Sequence, residues 1–284
     1  MYKLTLTCKV ITPMFMSGSD GRSPELRPSE IKGLMRFWWR AIKAEKDITK
    51  LKNEEFEIFG GIGERANKSK IKIRVKPDPK NTYRGKYKRL PHNPNKTFKL
   101  DCFNINTIFK IIIESHKDIS FFRDLLIISI ILGGFGKGAR RGFGSIEICE
   151  PAYLKFENIE VKEFLEKITY LLNNIDNHFI VQNSKIINTR AGTNYPWIKE
   201  IEVGKNHVDW EELLKKIGEA SHKYRDPSLG CASPRMASPI YVSVIKLKNM
   251  YYPIVTTLQN SFPTSHKFSI NLKKQEDFKR EVLS

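Results

Sequence analysis

Apolar and polar residues alternate with a period of two in several segments of the first half of the chain. In Lys3–Thr12 four apolar side chains share one face, which is typical of a half-buried strand. Ser29–Ala44 instead has the spacing of a helix with Ser29 as its N-cap, and the apolar run Phe121–Leu132 has the length of a buried helix. Strands are predicted at Lys3–Thr12, Lys70–Lys76, Lys99–Phe103, Thr107–Glu114 and Phe143–Cys149.

Two further segments of this half have weaker patterns. Phe56–Gly63 is predicted to be a helix end that runs into a turn, and residues 77–99, rich in proline, asparagine and lysine, are predicted to form a long mobile loop. The succession of elements corresponds to β-α-β-β-α-β, the order of a ferredoxin-like domain.

The second half predicts another α+β domain, with the boundary near Pro151, so that the domains are residues 1–150 and 151–284. Helical spacing predicts helices at Glu160–Asn173 and Trp210–Tyr224, the second capped by Asp209. The remaining elements are a hairpin of Ile240–Leu247 with Tyr251–Leu258 and a short exposed helix from Lys273.

Charge is distributed unevenly along the 284 residues, whose net charge is +18. Residues 1–150 hold 30 Lys and Arg against 16 Asp and Glu, whereas residues 151–284 hold 19 against 15. An excess of this kind favours a polyanionic partner for the first half.

Other classes of protein are disfavoured by what the chain lacks. No apolar run approaches the length of a membrane span and no signal segment is visible, so we expect a soluble, cytoplasmic protein without a membrane partner. The four cysteines and six histidines have neither disulfide nor metal-ligand spacing, and we expect no metal and no cofactor.

A glycine-rich loop, GGFGKGARRGFGSI at 133–146, joins the apolar helix to the next strand. It lacks the Gly-Lys-Ser/Thr ending of a P-loop. Three of its residues match a dinucleotide fingerprint, but that motif leaves a strand and opens a helix, which is the reverse of the order here. The glycines permit close backbone approach to a ligand, and Lys137, Arg140 and Arg141 supply positive charge. The alternative is a structural turn after a helix cap on Gly133.

The helix after the first loop has an apolar face and a basic face. The basic face contains Lys32, Arg36, Arg40 and Lys43 but no acid to pair with them, and Gly33 interrupts it. A basic face is usually only solvated, yet a glycine among unpaired cations favours close approach of a phosphate backbone. Trp39, at the border of the two faces, is a candidate for stacking on a base.

These segments together resemble a known family. ITPMFMSGSDGRSPELRPSEIKGLMRFWWRA, IFGG at 58–61, the glycine loop and SPRMASPIYVSVIK are similar to the RAMP superfamily of CRISPR-associated proteins, and in particular to the first-subunit family of the type III-B (Cmr) effector complex. The resemblance implies two tandem ferredoxin-like folds and a non-catalytic subunit in antiviral defence. It also implies guide RNA, single-stranded target RNA and other RAMP subunits as partners.

Two other functions compete with this interpretation. Some RAMP subunits cleave target RNA with an aspartate in the loop where Asp20 lies, although no histidine precedes His92 to support a guide-processing nuclease. A single-stranded nucleic-acid-binding module unrelated to CRISPR would also explain the 11 Lys and Arg at 68–96.

The predicted RNA site combines the glycine loop and the basic helix as two walls of one groove, with no catalytic residue. Its predicted contacts are Arg27, Lys32, Gly33, Arg36, Trp39, Arg40, Gly134, Gly136, Lys137, Gly138, Arg140 and Arg141.

Overall fold

The computed structural model describes residues 1–61, 66–93, 95, 97–233, 235–261 and 269–284. The last two residues of the predicted helix end Phe56–Gly63 therefore lie outside the described residues, as do two residues of the 68–96 segment and one of SPRMASPIYVSVIK. None of the described helices is long and apolar enough to span a membrane.

Helices and antiparallel sheets alternate along the first half, as predicted. Its main sheet has the strand order β2-β5-β1-β6, in which every neighbouring pair is antiparallel. The elements are β1 (Tyr2–Val10), α1 (Pro28–Lys43), α2 (Ile48–Phe59), β2 (Ile71–Pro77), β3 (Arg84–Lys88), β4 (Lys99–Phe103), β5 (Ile108–Ser115), α3 (Ser120–Ile128) and β6 (Ile146–Glu150).

Two local predictions in this half are wrong. Helix α1 begins at Pro28 rather than after Ser29, because proline suits the first helical position, where its missing N–H is not needed. The predicted loop 77–99 contains strand β3, which pairs with β4 in a separate hairpin, so Lys99–Phe103 does not join the main sheet. The predicted helix end at Phe56–Gly63 is confirmed in its described part, because helix α2 ends at Phe59 with Gly60 as its C-cap. The helix begins at Ile48, where the side chain of Asp47 caps it.

The main sheet has one buried face and one open face. Along β1, Leu6, Cys8 and Val10 are fully buried, and they belong to the same apolar cluster as residues of α1 and α3. Helix α3 continues through a π-helical turn at Ser129–Gly133 into the glycine loop, so the predicted run Phe121–Leu132 is helical as expected.

The second half has a five-stranded antiparallel sheet in the order β10-β11-β9-β8-β7. Both predicted helices and the predicted hairpin are present, whereas β7, β8 and β9 were not predicted. The last helix is not simply exposed, because Phe278 and Val282 are fully buried. The elements are α4 (Val161–Asn173), β7 (Phe179–Gln182), β8 (Lys185–Asn188), β9 (Ile198–Val203), α5 (Trp210–Lys223), β10 (Ile240–Leu247), β11 (Met250–Leu258) and α6 (Leu272–Leu283).

The glycine loop connects the two halves. The Gly142 amide donates to the Val242 carbonyl at 2.7 Å, and the Val244 amide donates to Ser145 Oγ at 2.9 Å. Both apolar clusters combine residues from before and after Pro151. Strand β10 and the loop therefore hold the first turns of α1 and the segment before β10 on either side of one cleft.

Candidate nucleic-acid interface

A groove of about 1800 Å³ lies between the first turns of α1, the glycine loop and the segment that leads into β10. Two acids, Glu30 and Asp226, line it. Six cations line it, and none of them forms an ion pair within the described residues. These six are Arg89, Lys137, Arg140, Arg141, Arg225 and Arg235.

The glycines of the loop are needed for its backbone conformation more than for binding a ligand. Gly136 has a φ of 86°, and a Cβ there would lie 2.6 Å from the carbonyl of Phe15. Its amide donates to Glu30 Oε1 at 2.6 Å, and the Lys137 amide donates to the Phe15 carbonyl at 3.0 Å. The expectation that loop amides would hold phosphate is corrected for Gly134 and Gly136, whose N–H groups already donate to the Ile130 carbonyl and to Glu30. For Gly138 it stays a prediction.

Glu30 lies in the first turn of α1, with its half-buried carboxylate directed at the loop. Burial raises the pKa of Glu30, against the opposing effects of the Gly136 hydrogen bond and the charges of Arg27 and Lys137. The groove therefore contains a carboxylate that a bound phosphate would meet.

Two cations of the loop face the groove as predicted. Lys137 is exposed, and its Nζ donates to the Gly21 carbonyl at 2.6 Å, which ties the loop to the segment before α1. The guanidinium of Arg140 lies 4.5 Å from the ring centre of Tyr241. This contact holds the Arg140 charge at the groove wall without neutralising it.

Arg141 is turned inward, which corrects its predicted role. Its guanidinium donates to the carbonyls of Arg140, Ile240 and Leu229 and to Ser238 Oγ, at 2.8–3.3 Å. Burial, with a smaller contribution from Arg140, lowers the pKa of Arg141 to about 10. Arg141 therefore fastens the groove wall before β10 rather than contacting a ligand.

Two arginines of the basic helix face are neutralised by an acid from the next helix. Glu55 of α2 is nearly buried, and it accepts from Arg36 Nε at 2.6 Å and from Arg40 Nη1 at 2.7 Å. Lys43 likewise lies 3.4 Å from Glu54 and 3.3 Å from Asp176. The prediction of an unpaired basic face is wrong here because the pairing acids come from outside the helix.

Phe37, and not Trp39, is the partly exposed aromatic side chain at the groove, which Tyr241 also lines as a buried residue. Trp39 is 1% exposed and packs near Phe59, so it is not accessible for base stacking. Phe37 is partly exposed, lines the groove and lies 5.5 Å from the ring of Tyr241. Gly33, one turn earlier, has no atom within 4 Å of a Cβ position, which leaves open space beside Phe37.

Arg27 and Lys32 flank the groove without lining it. Both are partly exposed, and neither has an acidic partner in the described residues. Burial and the neighbouring Arg36 lower the pKa of Lys32. Their predicted contact with RNA stays a prediction.

Asp20, the candidate slicing residue, closes its own turn. Its carboxylate accepts from the amides of Arg22 and Ser23 at 2.9–3.1 Å and from Ser23 Oγ at 2.5 Å. Among the described residues, no cluster of three or more His, Cys, Asp and Glu side chains could hold a metal ion.

Sequence reasoning missed three exposed groove arginines, Arg89, Arg225 and Arg235. Arg89 lies in the basic 68–96 segment, and Arg235 lies in the SPRMASPIYVSVIK motif. The sequence therefore contained a pattern that could have identified these two as candidate site residues. Arg225 lay in a segment without a recognisable pattern.

Comparison with known proteins gives consistent relatives. A family model described as the RAMP superfamily matches residues 7–147. The chain is 34% identical over 183 residues to the CRISPR system Cmr subunit Cmr1-2 of Pyrococcus furiosus, covering 52% of this chain and 96% of that protein. It is 29% identical over 226 residues to the Cmr1-1 subunit of the same organism, covering 68% of this chain and 63% of that protein.

Solved structures show the same fold. The apo crystal structure of Cmr1 from Pyrococcus furiosus superposes with a TM-score of 0.69 at 19% identity, covering 99% of this chain and 96% of that one. A chain of the type III-B Cmr-beta complex bound to cognate target RNA superposes with a TM-score of 0.63 at 16% identity, covering 98% of both chains. The chain belongs to the RAMP superfamily and is, within it, a Cmr1-like protein.

Proposed function

We propose that the protein is a non-catalytic RNA-binding subunit of a type III-B CRISPR effector complex. Its relatives are named as Cmr subunits, and a chain of similar fold comes from a complex bound to target RNA. The observation that carries the proposal is that the cations of the groove lack ion pairs, in contrast to most of those on α1. Arg36, Arg40 and Lys43 of α1 are neutralised by Glu54, Glu55 and Asp176, whereas the cations that line the groove have no acidic partner in the described residues.

The groove suits a phosphodiester backbone. Lys137 on one wall and Arg225 and Arg235 on the other are exposed and can pair with successive phosphates of a guide or single-stranded target RNA. Phe37 offers an aromatic surface on which a base can stack, and the missing side chain at Gly33 leaves room for it. This arrangement recognises the backbone and stacking surface, so we expect little dependence on base sequence.

The topology supports ferredoxin-like halves. In the first half, four strands in the order β2-β5-β1-β6 are linked by helices after the first and third strands, as in the β-α-β-β-α-β fold. In the second, β9-α5-β10-β11-α6 repeats the first five elements, and β8 occupies the place beside β9 where the sixth would pair. We propose a boundary near Pro151 between these two units, which pack together through the glycine loop.

Absence of catalysis is part of the proposal. Asp20 is engaged by its own turn, so it serves there as a turn residue. The purified protein with magnesium or manganese is expected to leave labelled RNA intact. Defined cleavage that disappears in Asp20→Ala would make the protein a slicing nuclease instead.

RNA affinity of a groove variant tests the proposal. Lys137→Gln/Arg225→Gln/Arg235→Gln removes three unpaired groove charges, and Lys52→Gln/Lys162→Gln/Lys199→Gln removes three exposed charges elsewhere as a control. Each backbone contact contributes about 0.6 log units at physiological salt, so the groove variant should bind labelled single-stranded RNA roughly 50-fold more weakly. The control variant should bind nearly as well as the native protein. Equal losses in the two variants would show non-specific attraction and sink the groove assignment.

Assembly distinguishes this function from an unrelated binding module. Native protein is expected to purify with small guide RNAs and several RAMP subunits. Recovery of only heterogeneous RNA, without such subunits, would favour the unrelated module.

A further inference from the structure

A second group of cations lies on the open face of the first sheet, away from the groove residues. Strand alternation places every second residue of β2, β5 and β1 on this face, and the intervening apolar residues face α1 and α3. Five of its cations are exposed, namely Lys3, Lys72, Arg74, Lys76 and Lys110, and a sixth, Lys9, is half-buried.

We propose that this open face is a second site for the phosphate backbone of nucleic acid, separate from the groove and independent of base sequence. It goes beyond the groove function, because it involves none of the groove residues.

The register gives one end of the face an unfavourable charge arrangement. Lys76 lies directly opposite Lys110 on the neighbouring strand, and like charges in such positions are destabilising. At the other end Glu114, the single acid among the nine positions shared by the three strands, lies opposite Lys3 and Lys72 and pairs with Arg74. Lys9 pairs with Glu147 of β6, whereas the other four lysines of the face form no ion pair within the described residues. A bound polyanion would turn this repulsion into attraction.

In the second half, two lysines at the sheet form ion pairs with acidic side chains. Lys185 lies 2.6 Å from Glu202, and Lys279 lies 3.1 Å from Glu202 and also pairs with Glu200. Lys185 is thus neutralised by an acid on the neighbouring strand, and Lys279 of α6 by acids of the sheet. Strands β2, β5 and β1 instead share five cations and one acid on their open face, which differs from an ordinary solvated sheet face with mixed charges.

The composition of the face favours nucleic acid over an acidic protein. Its central position is Ile112, which is 7% exposed and lies between Arg74 and Thr5. The face thus lacks the exposed aromatic or large apolar anchor that dominates most protein interfaces. Interfaces with nucleic acid are more polar and more positive, as this one is. Without an aromatic residue it can bind phosphates but cannot stack bases.

A charge-removal variant tests the site. The face variant Lys72→Gln/Lys76→Gln/Lys110→Gln keeps polar side chains on the exposed face. Its three substitutions are made both in the native protein and in the groove variant, and RNA affinity is measured for each. Labelled single-stranded RNA and the duplex of the same sequence are the probes, because both present the same backbone. Because one strand would contact the groove and the face at the same time, we expect roughly 50-fold weaker binding of the single strand, and a slope of log affinity against log salt reduced by about 2.

Melting temperature separates binding from folding. Because the substitutions remove like-charge repulsion, melting is expected to stay unchanged or rise. The Lys52→Gln/Lys162→Gln/Lys199→Gln variant is the matched control for loss of total charge, and its affinity should change little.

The outcomes of the two variants are independent. A loss with the face variant alone would uphold this site and reject the groove, and a loss with the groove variant alone would do the reverse. Unchanged affinity and salt slope for both probes would overturn the second site. If a face variant with unchanged RNA affinity also failed to assemble with its complex partners, we would conclude that the face binds an acidic protein surface.

Discussion

The ion pairs that Glu55 makes with Arg36 and Arg40 predict a structural role for the two arginines of the RFWWR segment. Glu55→Gln removes the negative charge while preserving the shape of the side chain. Glu57→Gln is the matched control, because Glu57 lies on the same helix, is exposed and forms no ion pair within the described residues.

The size of the effect follows from the exposure of the partners. The Glu55 side chain is 9% exposed and accepts three hydrogen bonds, whereas both arginine side chains are 37% exposed. Hydrogen bonds to charged groups contribute about 1.5–3 kcal/mol each when buried, but the solvent around the arginines reduces this and glutamine keeps one acceptor oxygen. We expect a loss of about 2 kcal/mol in the free energy of unfolding, which lowers Tm by about 4–8 °C.

Thermal unfolding and RNA affinity are measured on the same preparations. Glu55→Gln should lower Tm with RNA affinity retained or increased, since two guanidiniums lose their protein partner. Glu57→Gln should leave both quantities unchanged. A variant with native Tm but strongly weakened RNA binding would refute the reasoning, because it would mean that Glu55 acts on the RNA site and not on stability.

Three further predictions follow from the same structure. Trp39→Ala should lower the free energy of unfolding by about 3–5 kcal/mol, whereas Phe37→Ala should leave Tm nearly unchanged and weaken RNA binding by about 1–3 kcal/mol. Calorimetry measures the first effect and fluorescence anisotropy the second. Equal losses of stability in the two variants would contradict this assignment of roles. Arg141→Gln should lower Tm through unpaired carbonyls, and a normal Tm with lost RNA affinity would contradict its inward role. Because the pKa of Glu30 is raised above 4.5, its contribution to folding stability is present below that value and is lost as pH rises through the raised pKa. RNA affinity should also fall as pH rises through the pKa of Glu30, because the carboxylate ionises, and Glu30→Gln should flatten the pH profiles of stability and affinity. Profiles that this substitution leaves unchanged would show that Glu30 does not act in the groove.

Local pattern predicted the elements that have one apolar face or a long apolar run. Strands β1 and β2 and helices α1, α4 and α5 have one apolar face, whereas β5 and α3 are nearly continuous apolar runs. Strand β7 was missed because only Phe179 of its four residues is buried, so the segment has no alternation to detect.

The candidate site could be predicted only in part, because its chemistry depends on partners distant in sequence. Lys137 and Arg140 line the groove as expected, but Glu55 lies 19 residues from Arg36 on another helix, and nothing in α1 indicates the pairing. Trp39 was placed at the border of the helix faces, where the position of α2 decides whether it is buried. Arg225 enters the groove only because the second half packs on the glycine loop.

Cross-linking of thiouridine-labelled RNA to the assembled complex, with the linked residues identified by mass spectrometry, tests the groove most directly. We predict links at Phe37, in the glycine loop and in residues 225–241, and none at Trp39. Links confined to surfaces outside the groove, with the groove peptides unmodified, would contradict the assignment of this groove as the RNA site.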